Sequence, residues 1–223
     1  TGVLNDLAGI AAVVKEFPGV ILVVDTVSSL SAVPVEMDKL GIDVVLAGVQ
    51  KALALPPGLA VFAISEAALE RASHTEGRGY YFDFVEFEKN ALKNNTPSTP
   101  AVSLMYALKQ KVDSIMAEGL KARFERHAKL NHMIHQWADK HGFKNFAPEG
   151  FQSKTLTAID NQDGKLDVPG FIKALRAKHN VLINGGYGKI KGVTFRISNM
   201  GNETEESIQE LINQLDEVIV DFK

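Results

Sequence analysis

The sequence predicts an α/β protein with a mostly parallel sheet, followed by a small α+β domain. Three observations carry that expectation. Helix-like and strand-like segments alternate within the first 64 residues, the repeat unit of a parallel sheet. Two apolar runs there, ILVV and DVVLAGV, read as strands buried on both faces, and each ends on polar residues, Asp25 and the pair Gln50 and Lys51. A long helical region then separates this part from a second alternation, which places one domain over residues 1–112 and another over 113–223.

Over residues 4–17, Leu7, Ile10, Ala11, Val14 and Phe17 recur at helical spacing, with Asn5 or Asp6 as the cap and Pro18-Gly19 as the stop. A strand over 20–24 follows. PVEMDKLG is a short helical turn, with Pro34 at its start and Gly41 at its end. The second strand covers 44–48. Two prolines and a glycine in ALALPPG then force a turn. So short a connection predicts that the next strand, LAVFAI over 59–64, runs antiparallel to its predecessor. Ser65 opens a helix, SEAALERASH. Residues 77–95 mix aromatics, charges and glycine without a clear period and are read as a surface excursion or subunit contact. Their aromatics Tyr80, Tyr81, Phe82, Phe84 and Phe87 suit either core or interface.

TPSTP precedes two helical stretches, 101–116 and 119–140, broken at Gly119. The remaining order is FKNFAP, TLTAID, a helix over 168–178, VLI, VTFRIS and a closing helix over 203–220. That order is a small α+β domain.

Composition narrows the function. The 223 residues are 45% hydrophobic, enough for a sizeable core, and a net charge of -3 without a dense basic run excludes nucleic acid and anionic membranes as partners. No apolar run reaches membrane-spanning length and no signal peptide is visible. With no cysteine, the chain has no disulfide, thiolate metal site or thiol nucleophile, which fits a cytoplasmic location. His132 and His135 form an HxxH without an acidic third ligand, so the histidines of that helix, His127 included, are read as a solvated face and no metal site is expected. DNQDG lacks the distal glutamate of a calcium loop and reads as a polar turn.

Lys51 is the sharpest chemical candidate. A lysine between an apolar strand and a proline-rich turn is partly desolvated, which lowers its pKa and frees the amine for Schiff-base chemistry. Taken alone, it is also an ordinary surface lysine at a strand end. Asp25, ending the neighbouring strand, suits a protonated pyridine nitrogen, and equally a cap of DTVSSL or an ion pair with Lys51. An acid and a lysine at the carboxyl ends of adjacent parallel strands lie where open α/β sheets bind ligands. Arg196 stands in the alternating strand VTFRIS, with Val193, Phe195 and Ile197 on one face and Thr194 and Arg196 on the other. The glycines of INGGYG permit a tight turn or a close backbone approach.

D-x-V-x-S, then Q-K-A-L and P-P-G, resembles the pyridoxal-phosphate-dependent class V aminotransferases, nearest to the alanine-glyoxylate, serine-glyoxylate and serine-pyruvate group. TGVL at the start, TPSTPAVSLMYAL and NGGYGKIKGVTFRISNMG extend the resemblance across the chain. It implies a fold-type I transferase, with residues 1–112 the C-terminal part of the large cofactor-binding domain and 113–223 the small C-terminal domain. It also implies pyridoxal 5'-phosphate as cofactor, with small amino acids and 2-oxo acids as substrates. Lys51 would form the Schiff base and move the substrate proton. Asp25 would hold the pyridine nitrogen, Val27 would pack on the ring and Gln50 would face the phosphate. Asn95, Thr96, Ser98 and Thr99 include the groups that reach the cofactor phosphate of the neighbouring subunit in a homodimer, although a helix cap explains TPSTP as well. Arg196 would grip the substrate carboxylate bidentately.

Two departures stand out. The family's phosphate loop, its ring-stacking aromatic and a serine contact precede the point where Thr1 aligns, so this chain is expected to be the C-terminal portion of the enzyme and not to hold the cofactor competently alone. Ala47 and Val49 stand where relatives often have hydroxyl residues. The competing readings are a related fold-type I lyase or desulfurase, the latter disfavoured by the missing cysteine, and a non-catalytic module that retains the scaffold.

Overall fold

The computed structural model describes residues 1–222. The chain forms two compact units: Asp6–Leu30 with Pro34–Ala117, and Thr1–Asn5 with Ser31–Val33 and the residues from Glu118 onward.

The first unit is built on a three-stranded sheet in the order β1 (Val23–Asp25), β2 (Val44–Gly48), β3 (Ala60–Ile64). β1 and β2 are parallel, and β2 and β3 antiparallel, as the short PPG connection predicts. The described sheet is therefore mixed. α1 (Leu7–Val14) precedes β1 and is capped by Asp6, whose Oδ1 accepts the Gly9 N–H at 3.0 Å. α2 (Met37–Leu40) stops at Gly41, whose φ of 69° is the left-handed conformation that ends a helix without a Cβ penalty. Asp43 then ties the sheet edges together. Its Oδ2 accepts the Leu22 N–H at 2.8 Å and its Oδ1 the Ser65 hydroxyl at 2.8 Å. Ser65 also caps α3 (Glu66–Ser73) through the Ala68 N–H.

β2 is buried as expected, with Val44, Val45 and Ala47 inside. β1 is not. Val23 is 57% exposed, because β1 is an edge strand with no neighbour on its other side among the described residues. The stretch read as a surface excursion contains a helix, α4 (Phe84–Ala91). Asp83 caps it, and Phe84 and Phe87 rest on Phe62 of β3 at ring separations of 5.1 and 5.3 Å. Two turns are too few for a period to show against the flanking charges. The other aromatics split from this pair: Tyr80 and Phe82 are exposed. α5 (Val102–Glu118) contributes Ile115 to a small core with Val49 and Leu53.

The second unit places α6 (Leu120–Lys140), α7 (Val168–His179) and α8 (Glu205–Ile219) with an antiparallel sheet in the order β4 (Lys144–Asn145), β5 (Leu156–Asp160), β7 (Thr194–Ser198), β6 (Asn184–Gly185). Gly119, at φ 82°, breaks α5 from α6 where the sequence places the break. The apolar run VLI is not a strand; β6 forms one step later, at Asn184, where the chain comes into register with Arg196. Phe171, Leu175, Phe195, Ile197 and Leu215 are almost completely buried, and Trp137 meets Phe195 edge-on at 6.4 Å. Side chains of this kind stabilise by about 1.5–3 kcal/mol each on burial. DNQDG is a polar turn: Asn161 Nδ2 donates to the Leu166 carbonyl at 2.9 Å and its Oδ1 accepts the Leu166 N–H at 3.0 Å. Among the described residues no helix is long and apolar enough to cross a membrane, and no group of three or more histidines and acids is placed to hold a metal.

Candidate active site

Parallel pairing of β1 and β2 puts their carboxyl ends on one edge of the sheet. Asp25 lies opposite Leu46, and the chain leaves β2 at Gly48 to reach Gln50 and Lys51. Asp25 is exposed and oriented: its Oδ1 accepts the Val27 N–H at 2.8 Å, which leaves Oδ2 for a further donor. The loop cap read from DTVSSL is therefore present, and it does not consume the carboxylate. No ion pair joins Asp25 to Lys51 among the described residues.

Lys51 occupies a tight turn. The Ala54 N–H donates to its carbonyl at 2.8 Å, Leu55 N–H closes on Val49 O at 3.0 Å, and Val49 N–H reaches Leu59 O at 3.1 Å. Ala52 and Leu53 anchor this turn in the interior while Lys51 itself is half-buried. Its backbone is thus held in a hydrogen-bonded turn. Gln50 is exposed and its amide folds back over Gly48, so closely that a Cβ at residue 48 would collide with Oε1. Val27 is half-buried beside Asp25.

The chemistry of these groups fits pyridoxal 5'-phosphate. A primary amine on a fixed turn suits its aldehyde, and a carboxylate with one oxygen pinned and one open suits its protonated ring nitrogen.

In the same unit, Asn95, Ser98 and Thr99 are exposed and Thr96 is half-buried, its hydroxyl donating to the Ser98 carbonyl at 2.7 Å. That bond closes the turn within TPSTP. Asn95 and Thr96 line an open cavity of about 590 Å³ with Met105, Tyr106 and Lys109.

Arg196 belongs to the second unit. Its Nε donates to the Gly185 carbonyl at 2.9 Å, and its Cζ lies 4.2 Å from the centre of the Tyr187 ring. The INGGYG glycines serve close approach as well as the turn. A Cβ at Gly186 would collide with the carbonyl oxygen of Ile190 and with Thr194 Oγ1. This closeness also explains why Thr194, expected on the open face with Arg196, is buried and donates to Ile190 O at 3.1 Å.

The structure corrects the reading of His127 as part of a solvated face. Its side chain is fully buried; Nδ1 donates to the Arg123 carbonyl at 2.8 Å and Nε2 accepts the Gly201 N–H at 3.2 Å. A backbone N–H must donate, so Nε2 is the bare nitrogen and Nδ1 carries the proton. Burial holds its pKa below the ordinary histidine value, and Arg126 and Arg123 add to that. His127 and its neighbours brace the SNMG segment after Arg196. Asn199 Nδ2 donates to the carbonyls of His127 and Lys154, both at 3.0 Å, and Arg126 donates to those of Gly201 and Glu203. Glu118 binds both arginines and is held below its usual pKa by them, Arg126 foremost.

Two residues escaped the sequence reading. Thr26, only 1% exposed, donates through Oγ1 to Leu46 O at 2.8 Å, and nothing in TVSS distinguishes it from a loop hydroxyl. Tyr187 had a usable signal, an aromatic isolated between glycines nine residues before the arginine.

Residues 1–211 match the family model described as "Aminotransferase class-V". The chain is 33% identical over 222 residues to the "Soluble hydrogenase, small subunit" of Synechococcus sp., covering 100% of this chain and 57% of that protein. It is 33% identical over 208 residues to the serine-glyoxylate aminotransferase of Arabidopsis thaliana, covering 92% of this chain and 52% of the other. Among solved structures, the alanine-glyoxylate aminotransferase of Nostoc sp. superimposes with a TM-score of 0.90 at 30% identity, over 98% of this chain and 58% of that one. The chain thus spans little more than half the length of these relatives.

Proposed function

Because the chain belongs to the class V aminotransferase family, we propose that it carries the lysine and the acid of an enzyme moving an amino group from a small amino acid to a 2-oxo acid such as glyoxylate or pyruvate. The observation that carries the proposal is the placement of Asp25 and Lys51 at the carboxyl ends of neighbouring parallel strands, with one Asp25 oxygen left open.

Bound pyridoxal 5'-phosphate supplies an electron sink for the carbanion left when the substrate loses its α-proton. Lys51 Nζ is the primary amine that would hold the cofactor through its aldehyde. Lys51 Nζ, when not bonded to the cofactor, would be the base that holds and moves the substrate's α-proton, acid-base catalysis worth about 10²–10⁴ in rate. Asp25 Oδ2 would accept from the ring nitrogen and so favour its protonated form. Val27 would pack against the ring and Gln50 would face the phosphate. Arg196 orients the substrate by its carboxylate. Asn95, Ser98 and Thr99 would offer side-chain donors to the cofactor phosphate of a second subunit, with Thr96 closing their turn through its bond to the Ser98 carbonyl, so the reading includes a homodimer, in the cytoplasm.

The names of the serine-glyoxylate and alanine-glyoxylate relatives support glyoxylate as acceptor. The name of the Synechococcus relative points to a different chemistry. A lyase on the same fold, or a module without transfer chemistry, is separated by experiment. Borohydride reduction of the cofactor-loaded protein, followed by peptide mass mapping, is expected to label Lys51. Label on another lysine refutes the assignment. Addition of an amino donor should bleach the absorbance of the loaded protein, and a glyoxylate chase should restore it; a lyase or an inert scaffold does not complete that cycle.

A further inference from the structure

Arg196 is held at two points of its guanidinium. Within the guanidinium plane, Nε is fixed by its bond to the Gly185 carbonyl at 2.9 Å. Its Cζ also sits over the Tyr187 ring, 4.2 Å from the ring centre. That separation is well inside cation-π range, where an aromatic quadrupole attracts a cation. The ring is otherwise 73% exposed, so the hydrophobic core does not dictate its position. What is constrained around it is the backbone on either side. Gly186 donates to Thr194 O at 3.0 Å in a site too tight for any Cβ, and Gly188–Ile190 turns immediately after Tyr187. The loop thus brings both restraints to the same arginine.

We infer that Tyr187 is a positioning residue for substrate recognition, stacking on Arg196 so that its two terminal nitrogens meet a carboxylate end-on. The inference rests on the proposed role of Arg196. Its geometric basis is that a guanidinium offers two edges for bidentate contact, one through Nε and a terminal nitrogen, the other through both terminal nitrogens. The Gly185 carbonyl occupies the first edge. With Tyr187 on one face, the second edge is the remaining approach for a planar acid. A phenylalanine would keep the stacking face; an aliphatic side chain would leave the arginine free to turn about its long stem. The ligand class is a small α-amino or 2-oxo carboxylate.

The test uses the cofactor-loaded protein with alanine or serine as donor and glyoxylate as acceptor, comparing Tyr187→Leu, Tyr187→Phe and Arg196→Lys. Loss of an exposed cation-π contact should raise KM for the carboxylate substrate about two- to fivefold in Tyr187→Leu with kcat unchanged, and Tyr187→Phe should match the parent. Arg196→Lys should raise KM about tenfold or more through loss of the bidentate contact. On the Arg196→Lys background, Tyr187→Leu should add nothing, since its effect passes through the guanidinium. A nitrogen-edited spectrum gives a readout apart from turnover. The Arg196 Nε–Hε signal should carry a ring-current shift that Tyr187→Leu removes and Tyr187→Phe keeps. If Arg196→Lys raises KM while Tyr187→Leu leaves both KM and the Arg196 signal unchanged, the clamp is refuted and the carboxylate role survives. If Arg196→Lys leaves KM unchanged, the role of Arg196 itself is refuted, and the inference falls with it.

Discussion

Thr26 is bonded twice to Leu46: its backbone N–H and its Oγ1 both donate to the Leu46 carbonyl, at 2.9 and 2.8 Å. The residue directly after Asp25 is thereby locked to the strand that leads to Lys51. Thr26→Val keeps the shape and the backbone bond but removes the hydroxyl. It is expected to cost about 1 kcal/mol, the usual net value of such a bond. Chemical denaturation should show a lower midpoint with an unchanged slope, and an unaltered midpoint would show that the hydroxyl contributes nothing to the register.

Asp25→Asn separates charge from geometry. The amide oxygen can still accept the Val27 N–H, so the loop is expected to stay as it is. What is lost is the charge-assisted bond proposed for the ring nitrogen, worth about 1.5–3 kcal/mol, or about ten- to a hundredfold in the rate of amino transfer. Stopped-flow measurement of the half-reaction in the parent and variant decides it. Equal rates would mean that Asp25 is only a loop cap.

His127 makes the second unit sensitive to mild acid. Its folded pKa lies below the ordinary value of about 6.5, so below that pH the unfolded chain takes up a proton that the folded imidazole refuses. Stability is therefore highest above about pH 6.5 and declines as the pH falls toward the folded pKa. His135, lowered by burial and by Lys154, acts in the same sense. Thermal melts from pH 8 to pH 5 should show this decline, and His127→Gln should flatten but not abolish it. An unchanged slope in that variant would place the effect elsewhere.

Asp216 acts at a lower pH and with a different origin. Burial pushes its carboxyl up, but bonds from Lys140, His141 and Trp137 outweigh that and hold it at about 2. The Trp137 Nε1 and Lys140 Nζ each reach it at 2.7 Å. A depressed carboxylate stabilises fully above its unfolded pKa of about 3.9, and the contribution is lost as pH falls through the folded value. Asp216→Asn should melt below the parent at pH 7, and the gap should close between about pH 4 and pH 2. A gap constant across that window would contradict an ionic contribution.

The sequence by itself determined the elements with long or well-punctuated patterns. β2, the antiparallel turn into β3, the Gly119 break and the closing helix all follow from periodicity, proline and glycine. It also determined the family, since the motifs around Asp25, Lys51 and Arg196 are contiguous and need no knowledge of packing. The tertiary structure decided the rest. It exposed Val23, because an apolar run cannot reveal that its strand lies at an edge. Helix α4 came from the contact of Phe84 and Phe87 with Phe62, and His127 was buried against Gly201, a partner 74 positions away. It alone stacked Tyr187 on Arg196, because β6 and β7 pair only once the chain has folded back on itself. Local chemistry is written along the chain, whereas burial and long-range partners depend on which surfaces meet.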